Sequence, residues 1–343
     1  MKFYALGLSA FMVLMAANGS CFAADGESSW DKVFEKSDLV DVKKVHFTNR
    51  FGIELTGDLY EPKNKSEEKM AAIAVSGPFG AVKEQSSGLY AQELAKRGFV
   101  ALAFDPSFTG ESGGNVRNVA SPDINTDDFS AAVDYLTTLP EVDAEKIGIL
   151  GICGFGGFGL NAAAQDTRIK ATVASTMYDM TRVSAKGYND SMSEEDLYQL
   201  RESLNAQRTK DYQNGTFEGA PGLPDKLTGE EPQFVKDYFD YYKTPRGFHK
   251  RSINSNGHWN TTSSLSLITQ PILAYAGNIK NAVLIVHGQN AHSRYFGEDA
   301  FKKLKGDNKE LLIVEGANHV DLYDNMQKIP FDKIESFYKT YLK

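Results

Sequence analysis

The spacing of apolar positions changes along the chain. Residues 42–47 and 53–60 alternate apolar and polar side chains, which predicts two antiparallel strands joined by a turn at 49–52. From Ala71 onward the apolar residues instead form short unbroken runs. Such runs are typical of strands that are covered on both faces of a parallel sheet. The pattern therefore predicts an antiparallel pair that leads into a parallel sheet.

Strands and helices alternate through most of the remaining chain. The predicted strands are residues 71–75, 99–104, 146–150, 169–175, 282–286 and 311–314. The predicted helices lie at about 89–97, 127–140, 154–165, 298–304 and 331–341. This alternation indicates βαβ units with right-handed crossovers. We therefore expect an α/β fold with a mostly parallel, doubly wound, eight-stranded sheet.

Residues 180–275 interrupt the alternation. They are rich in charged and aromatic side chains, with one amphipathic helix marked by Leu197, Leu200 and Leu204. A segment of this length is too long for a structureless loop inside one domain. We therefore predict a largely helical cap, residues 180–275, inserted into a single core formed by residues 24–179 and 276–343.

The first residues have the pattern of a targeting segment. Lys2 precedes an apolar run at 4–17, and the small residues Cys21 and Ala23 follow at the two cleavage-specifying positions, which is typical of a signal peptide. The run is too short to cross a bilayer. Cleavage after Ala23 is favoured over lipidation at Cys21, because Asn18 stands where lipoprotein signals carry an aliphatic residue. We expect residues 1–23 to be a signal peptide, and a secreted or periplasmic protein without a transmembrane segment.

Composition and charge narrow the classes of function. The chain has 343 residues, 41% of them hydrophobic, and a net charge of −8 from dispersed acidic residues. A dispersed negative charge offers no basic surface for nucleic acid, so we predict no nucleic-acid partner. The six histidines are scattered, and no spacing of them indicates a metal site, so we predict no metal and no cofactor. Oligomeric state is not specified by any pattern.

Cys153 lies in a chemically distinctive turn. The strand at 146–150 runs into Gly151-Ile152-Cys153-Gly154, and a helix of small residues follows. Strand, sharp turn and helix are the context of a nucleophile elbow, whose strained backbone requires small neighbours. Phe155 departs from the common pattern, which has glycine at that position. Cys153 is the predicted nucleophile, and a buried structural cysteine is the alternative. Loss of Cys21 with the signal peptide would leave it without a disulfide partner.

His319 is the predicted base. It follows the strand at 311–314 by a short turn, where the last catalytic loop of such a sheet belongs. The oxyanion hole needs two backbone N–H groups. Gly154 would supply one, and Phe79, with Gly80 as the alternative, would supply the other. Lys83, close to this loop, is consistent with substrate contact or with a solvated helix start.

The acid that would orient His319 is harder to place. No carboxylate follows the strand at 282–286 until Glu298, which lies at the start of a predicted helix. Asp179 follows the preceding strand of the sheet, and we prefer it to Glu298. A thiolate–imidazolium pair can also work with a weaker orienting group.

Several of these stretches resemble the dienelactone-hydrolase-like branch of the α/β hydrolases, which includes thioester and polyketide hydrolases and acyltransferases. The matching stretches are residues 77–85, 103–105, 110–114, 150–157, 293–296 and 316–323. The resemblance implies an α/β-hydrolase fold, with Cys153 as nucleophile and His319 as base. Relatives often carry an aspartate where His292 stands, so their acid cannot be carried over to this chain.

Together these features predict an exported cysteine hydrolase that cleaves a carboxylic ester, lactone or thioester of a small-molecule acyl substrate. The acyl-enzyme would form on Cys153, with His319 as base. Two alternatives remain open at this point. The same acyl-enzyme could pass its acyl group to another acceptor, or the fold could serve as a non-catalytic binder of an apolar ligand.

Overall fold

The computed structural model describes residues 30–65 and 68–343, and the compact unit of the fold is Lys32–Lys343. The predicted signal peptide, residues 1–23, lies outside the described residues. Eight strands form one sheet in the order β1-β2-β4-β3-β5-β6-β7-β8. The strands are β1 (Val40–Thr48), β2 (Glu54–Pro62), β3 (Met70–Ser76), β4 (Val100–Phe104), β5 (Val142–Ile152), β6 (Ile169–Ser175), β7 (Ala282–Gly288) and β8 (Lys309–Val314).

Eleven α-helices lie in the described residues. They are α1 (Ser86–Lys96), α2 (Pro122–Thr137), α3 (Gly154–Gln165), α4 (Met180–Lys186), α5 (Glu194–Asn214), α6 (Gln233–Tyr242), α7 (Ile253–Asn256), α8 (Ser264–Thr269), α9 (Arg294–Lys303), α10 (Asp321–Asp324) and α11 (Phe331–Tyr341). None of the helices in the part of the chain that the structure covers has the length and apolar character needed to cross a bilayer.

The sheet confirms the predicted fold class. β1 and β2 pair antiparallel, β2 pairs antiparallel with β4, and the remaining pairs from β4 to β8 are parallel. The central strands β4, β6 and β7 are buried along almost their whole length, as their unbroken apolar runs predict.

Two helix starts differ from the prediction. α2 begins at Pro122 rather than Asp127, because the Ser121 side chain caps the Ile124 N–H and proline is favoured in the first turn. α9 begins at Arg294 rather than Glu298. Both starts lie in polar segments, where the apolar spacing used for the prediction carries little information.

The parallel strands deliver several polar side chains to one edge of the sheet. The carboxyl ends of β3, β5, β6, β7 and β8 lie side by side, and the loops that follow them meet there. Residues 176–281 join β6 to β7 and contain α4 to α8. Open α/β sheets bind ligands at this edge, so the loops after these strands are where a site is expected.

Candidate active site

The turn after β5 has the strained backbone that the sequence predicts. Cys153 directly precedes α3 and has φ 56° and ψ −126°, a backbone conformation that residues other than glycine rarely adopt. Its N–H donates to Ser175 O at 3.0 Å, and its carbonyl accepts from Tyr178 N at 2.9 Å. A Cβ on Gly151 would lie 2.1 Å from the carbonyl oxygen of Phe155. The turn therefore requires glycine at 151. Backbone hydrogen bonds to both the N–H and the carbonyl group of Cys153 fix its position.

Close approach of α3 to its neighbours explains the glycines at 156 and 157. A Cβ on Gly156 would lie 2.6 Å from Cβ of Met177, and one on Gly157 would lie 2.8 Å from Tyr178 O. Gly159 has room, since its nearest neighbour would be a methyl of Ile149 at 3.6 Å. Close packing of α3 therefore requires glycine at 156 and 157 but not at 159.

The sulfur of Cys153 faces three hydrogen-bond donors. Burial raises the pKa of the thiol and is the largest influence on it, while the Tyr323 hydroxyl and the backbone N–H groups of Gly154 and Phe79 lower it. These two backbone groups are the predicted oxyanion donors. The geometry therefore favours Phe79 over Gly80.

The segment between β6 and β7 fixes the loop that carries Phe79. The Asn254 side chain donates to Phe79 O at 2.7 Å, and its backbone N–H donates to Gly80 O at 3.2 Å. The Trp259 ring stacks on the Phe79 ring with centroids 4.1 Å apart. Because three contacts pin this loop, the N–H of Phe79 keeps its direction without rearrangement.

His319 lies buried between hydroxyl groups. Its Nε2 is 3.0 Å from the Tyr323 hydroxyl, and its Nδ1 is 2.5 Å from Ser293 Oγ and 2.9 Å from Thr176 Oγ1. Among the described residues no hydrogen bond joins the imidazole directly to Cys153. The Tyr323 phenol instead lies between the imidazole and the thiol.

Neither candidate acid reaches the imidazole. Asp179 caps α4, where its carboxylate accepts from the backbone N–H groups of Thr181 at 3.1 Å and Arg182 at 2.9 Å. Glu298 pairs with Arg294 at 2.7 Å on the surface of α9. The preference for Asp179 as the orienting acid, and Glu298 as its alternative, are both contradicted by these contacts. The unpaired N–H groups at the start of α4 compete for the Asp179 carboxylate and hold it.

The surroundings of His319 keep it neutral. Burial lowers its pKa well below the ordinary value, and neighbouring His292 and His287 lower it further. His292 stacks on Phe234 with centroids 4.7 Å apart, and burial lowers its pKa to about 4. A neutral imidazole has one free lone pair, so His319 can accept a proton at neutral pH.

Three residues around His319, namely Tyr323, Ser293 and Thr176, were not predicted as site residues. Tyr323 follows His319 by four positions, a spacing that places both on one side of a helical turn. Ser293 lies in the loop between β7 and α9, where an orienting carboxylate was expected. Thr176 directly follows β6 and has a positive φ of 43°, which is unusual for a β-branched residue.

A cavity of about 300 Å³ opens onto the sulfur. None of the described side chains that line it carries a charge. Its walls come from the elbow and oxyanion loop, from the start of α4, and from the segment between β6 and β7. The lining residues are Phe79, Cys153, Tyr178, Met180, Val183, Pro221, Gly222, Leu223, Tyr238, Tyr242, Asn254, Trp259 and Tyr323.

Metal ligands do not gather at this site. Within residues 30–65 and 68–343, no group of three histidine, cysteine, aspartate or glutamate side chains is placed to hold a metal ion.

Comparison with known proteins places the chain in a family. The family model described as X-Pro dipeptidyl-peptidase (S15 family) matches residues 52–321. An uncharacterized protein of Pseudomonas aeruginosa is 57% identical over 91% of this chain and 84% of its own length. Its crystal structure has a TM-score of 0.89 to this chain at 56% identity, covering 91% of this chain and 97% of that one.

Two more distant proteins are also similar. The structure of the alpha/beta hydrolase GrgF from a Penicillium species has a TM-score of 0.73 at 19% identity, covering 88% of this chain and 99% of that one, which shows the shared fold. A thiohydrolase of Eupenicillium brefeldianum is 31% identical over 40% of this chain and 43% of its own length. The chain belongs to the X-Pro dipeptidyl-peptidase (S15) family and is an enzyme of the α/β-hydrolase fold.

Proposed function

We propose that this chain is an exported cysteine hydrolase that cleaves a carboxylic ester, lactone or thioester through an acyl-enzyme on Cys153. One observation carries the proposal: a thiol on a strained elbow faces two backbone N–H groups and borders an uncharged cavity. The Gly-Ile-Cys elbow of the dienelactone-hydrolase-like branch and export by residues 1–23 are parts of this proposal.

The groups around Cys153 can perform each step of acyl transfer. The thiolate attacks the carbonyl carbon, and the N–H groups of Phe79 and Gly154 stabilise the oxyanion that forms. His319, protonated in the first step, returns its proton to the leaving group. In the second step the neutral imidazole activates a water molecule, which releases the acid and restores the thiol.

The cavity favours an uncharged, apolar or aromatic acyl group. Burial of an unpaired charge is strongly unfavourable, and no lining side chain could pair with one. A dipeptidyl-peptidase must bind the protonated amino terminus of its substrate, for which a carboxylate is the natural partner. Since the cavity lining lacks one, the site supports ester-type substrates better than X-Pro peptides. The relative named thiohydrolase is in keeping with a thioester substrate.

Acyl transfer to an acceptor other than water is a second candidate. Cys153 is only 6% exposed, and aromatic residues such as Tyr238 and Trp259 line the cavity beside it. Exclusion of water from an acyl-enzyme would lengthen its lifetime and favour another nucleophile. Product analysis with competing alcohols and amines separates the two outcomes. The third expectation, a non-catalytic binder, is not retained for a chain that is an enzyme.

The proposal is tested with a substrate panel on the wild type, Cys153→Ala and Cys153→Ser. The panel contains p-nitrophenyl esters and thioesters of matched neutral and carboxylate-bearing acyl groups, and an X-Pro p-nitroanilide. We expect wild-type turnover of the neutral esters or thioesters and a fall to background in Cys153→Ala. Wild-type rates in Cys153→Ala, or turnover of the X-Pro substrate alone, would contradict the proposal.

A further inference from the structure

Tyr323 occupies the position between the proposed nucleophile and base. Its hydroxyl lies 3.0 Å from His319 Nε2 and within hydrogen-bonding reach of the Cys153 thiol. The side chain is fully buried, and both it and Cys153 line the same cavity. A single hydroxyl group therefore contacts both reacting partners.

Packing holds this hydroxyl in place. The Tyr323 ring meets the rings of His319 at 5.4 Å and Tyr241 at 5.1 Å, each edge to face. A third ring, that of Tyr242, lies 6.1 Å away. Because aromatic neighbours surround the ring on several sides, the hydroxyl cannot turn away from the imidazole without repacking the core.

We propose that Tyr323 is a catalytic residue that relays the proton of the Cys153 thiol to His319. This inference rests on the proposed function, in which Cys153 is the nucleophile. In one concerted step the S–H bond breaks and its proton passes to the phenol oxygen, while the phenol passes its own proton to Nε2. The products are a thiolate, an unchanged phenol and an imidazolium, so atoms and charge balance.

The other contacts of His319 suit this role. A phenol is a better hydrogen-bond donor than an aliphatic hydroxyl, so the tautomer we assign has its proton on Nδ1 and its lone pair on Nε2. Ser293 and Thr176 then accept the Nδ1 proton and support the imidazolium. Burial raises the pKa of Tyr323 well above its ordinary value of 10.0, so the phenol passes a proton on without remaining ionised.

The relay is tested by alkylation of the thiol with iodoacetamide, which requires no knowledge of the substrate. The proteins compared are the wild type, Tyr323→Phe, His319→Gln and the double variant. Tyr241→Phe is the matched control, because this tyrosine packs against Tyr323 but does not line the cavity. Thermal melting establishes that each variant is folded.

We expect Tyr323→Phe and His319→Gln each to slow alkylation at pH 7.5 about tenfold or more, within the range of general-base effects. The double variant should be no slower than either single one, because both remove the same proton path. The ordinary pKa of a thiol is about 9, and burial raises that of Cys153 further. In Tyr323→Phe the rate of alkylation should therefore keep rising above pH 9.

Alkylation of Tyr323→Phe at the wild-type rate, with His319→Gln slowed, would overturn the relay and leave a direct thiol–imidazole contact. Equal slowing in Tyr241→Phe would overturn it as well, because the effect would then come from packing. The proposed function fails separately, through turnover in Cys153→Ala. Either inference can therefore fail without the other.

Discussion

At the scale of single residues, hydroxyl groups orient His319 where a carboxylate was expected. Ser293 and Thr176 both contact Nδ1, and both are fully buried. A hydroxyl carries no charge, so it costs less to bury than a carboxylate but stabilises an imidazolium less. Under the proposed mechanism, these hydroxyls leave the burial-lowered pKa of the imidazole in place, so it gains a proton only when the thiol releases one.

The orienting role is tested by comparing Ser293→Ala with Asp179→Asn. Loss of a hydrogen bond to a transiently charged imidazolium should lower kcat/KM of Ser293→Ala roughly 10-fold to 100-fold. Asp179→Asn should change kcat/KM less than about threefold, because asparagine is an equally good helix cap. Steady-state kinetics with a neutral ester measures both. The opposite order of effects would restore Asp179 as the orienting acid.

The sequence locates Cys153 and His319 at this site but not the side chains that contact them. Cys153 and His319 each follow a clear apolar strand, so their arrival at the same edge of the sheet was predictable. Asp179 also follows a strand, but α4 begins one residue later, and the Asp179 carboxylate accepts hydrogen bonds from its first N–H groups. Tyr323 and Ser293 are recognisable only once the direction of each side chain is known.

At the scale of elements, the elbow depends on the close approach of β5 and α3. A methyl group at Gly151 would collide with backbone atoms of Phe155, which cannot move without shifting the helix. Gly159, in the same helix, has only ordinary contacts, with Ile149 and Phe129 at 3.6–3.7 Å. The two positions therefore form a matched pair for a test of local strain.

We predict opposite effects of alanine at these two glycines. Gly151→Ala should lower the free energy of unfolding by about 1–3 kcal/mol, as overpacking does, and should displace Cys153 and reduce turnover. Gly159→Ala should leave turnover unchanged and raise the free energy of unfolding by up to about 1 kcal/mol, because alanine is the better helix former. Denaturant unfolding measures both, and equal destabilisation would contradict the geometry.

At the scale of the whole molecule, buried ion pairs tie the segment between β6 and β7 to the core. Lys83 is fully buried and bonds to Glu84 at 2.6 Å and Asp105 at 3.3 Å, and Arg251 from that segment pairs with Glu84 at 2.6 Å. Both sequence interpretations of Lys83, substrate contact and a solvated helix start, are therefore wrong. A charge network of this kind cannot be predicted from spacing, because Asp105 and Arg251 are far from Lys83 and Glu84 in the chain.

The mostly parallel sheet was predictable, because its parallel strands are short apolar runs that alternate with helices. The walls of the cavity were not, since Pro221–Leu223 and Trp259 lie in a segment whose polar residues show little periodicity. Their placement depends on tertiary contacts such as those of Asn254 with the oxyanion loop. The fold thus followed from local patterns, whereas the cavity depends on long-range packing.

The central claim, an acyl-enzyme on Cys153, is tested most directly by trapping that intermediate. The wild type and His319→Gln, in which deacylation should be slow, are mixed with a neutral activated acyl ester and quenched in acid. Mass spectrometry of the digested protein then locates the acyl group. The account predicts one acyl group on the peptide that contains Cys153, and none in Cys153→Ala. An acyl group on another residue that persists in Cys153→Ala would contradict it.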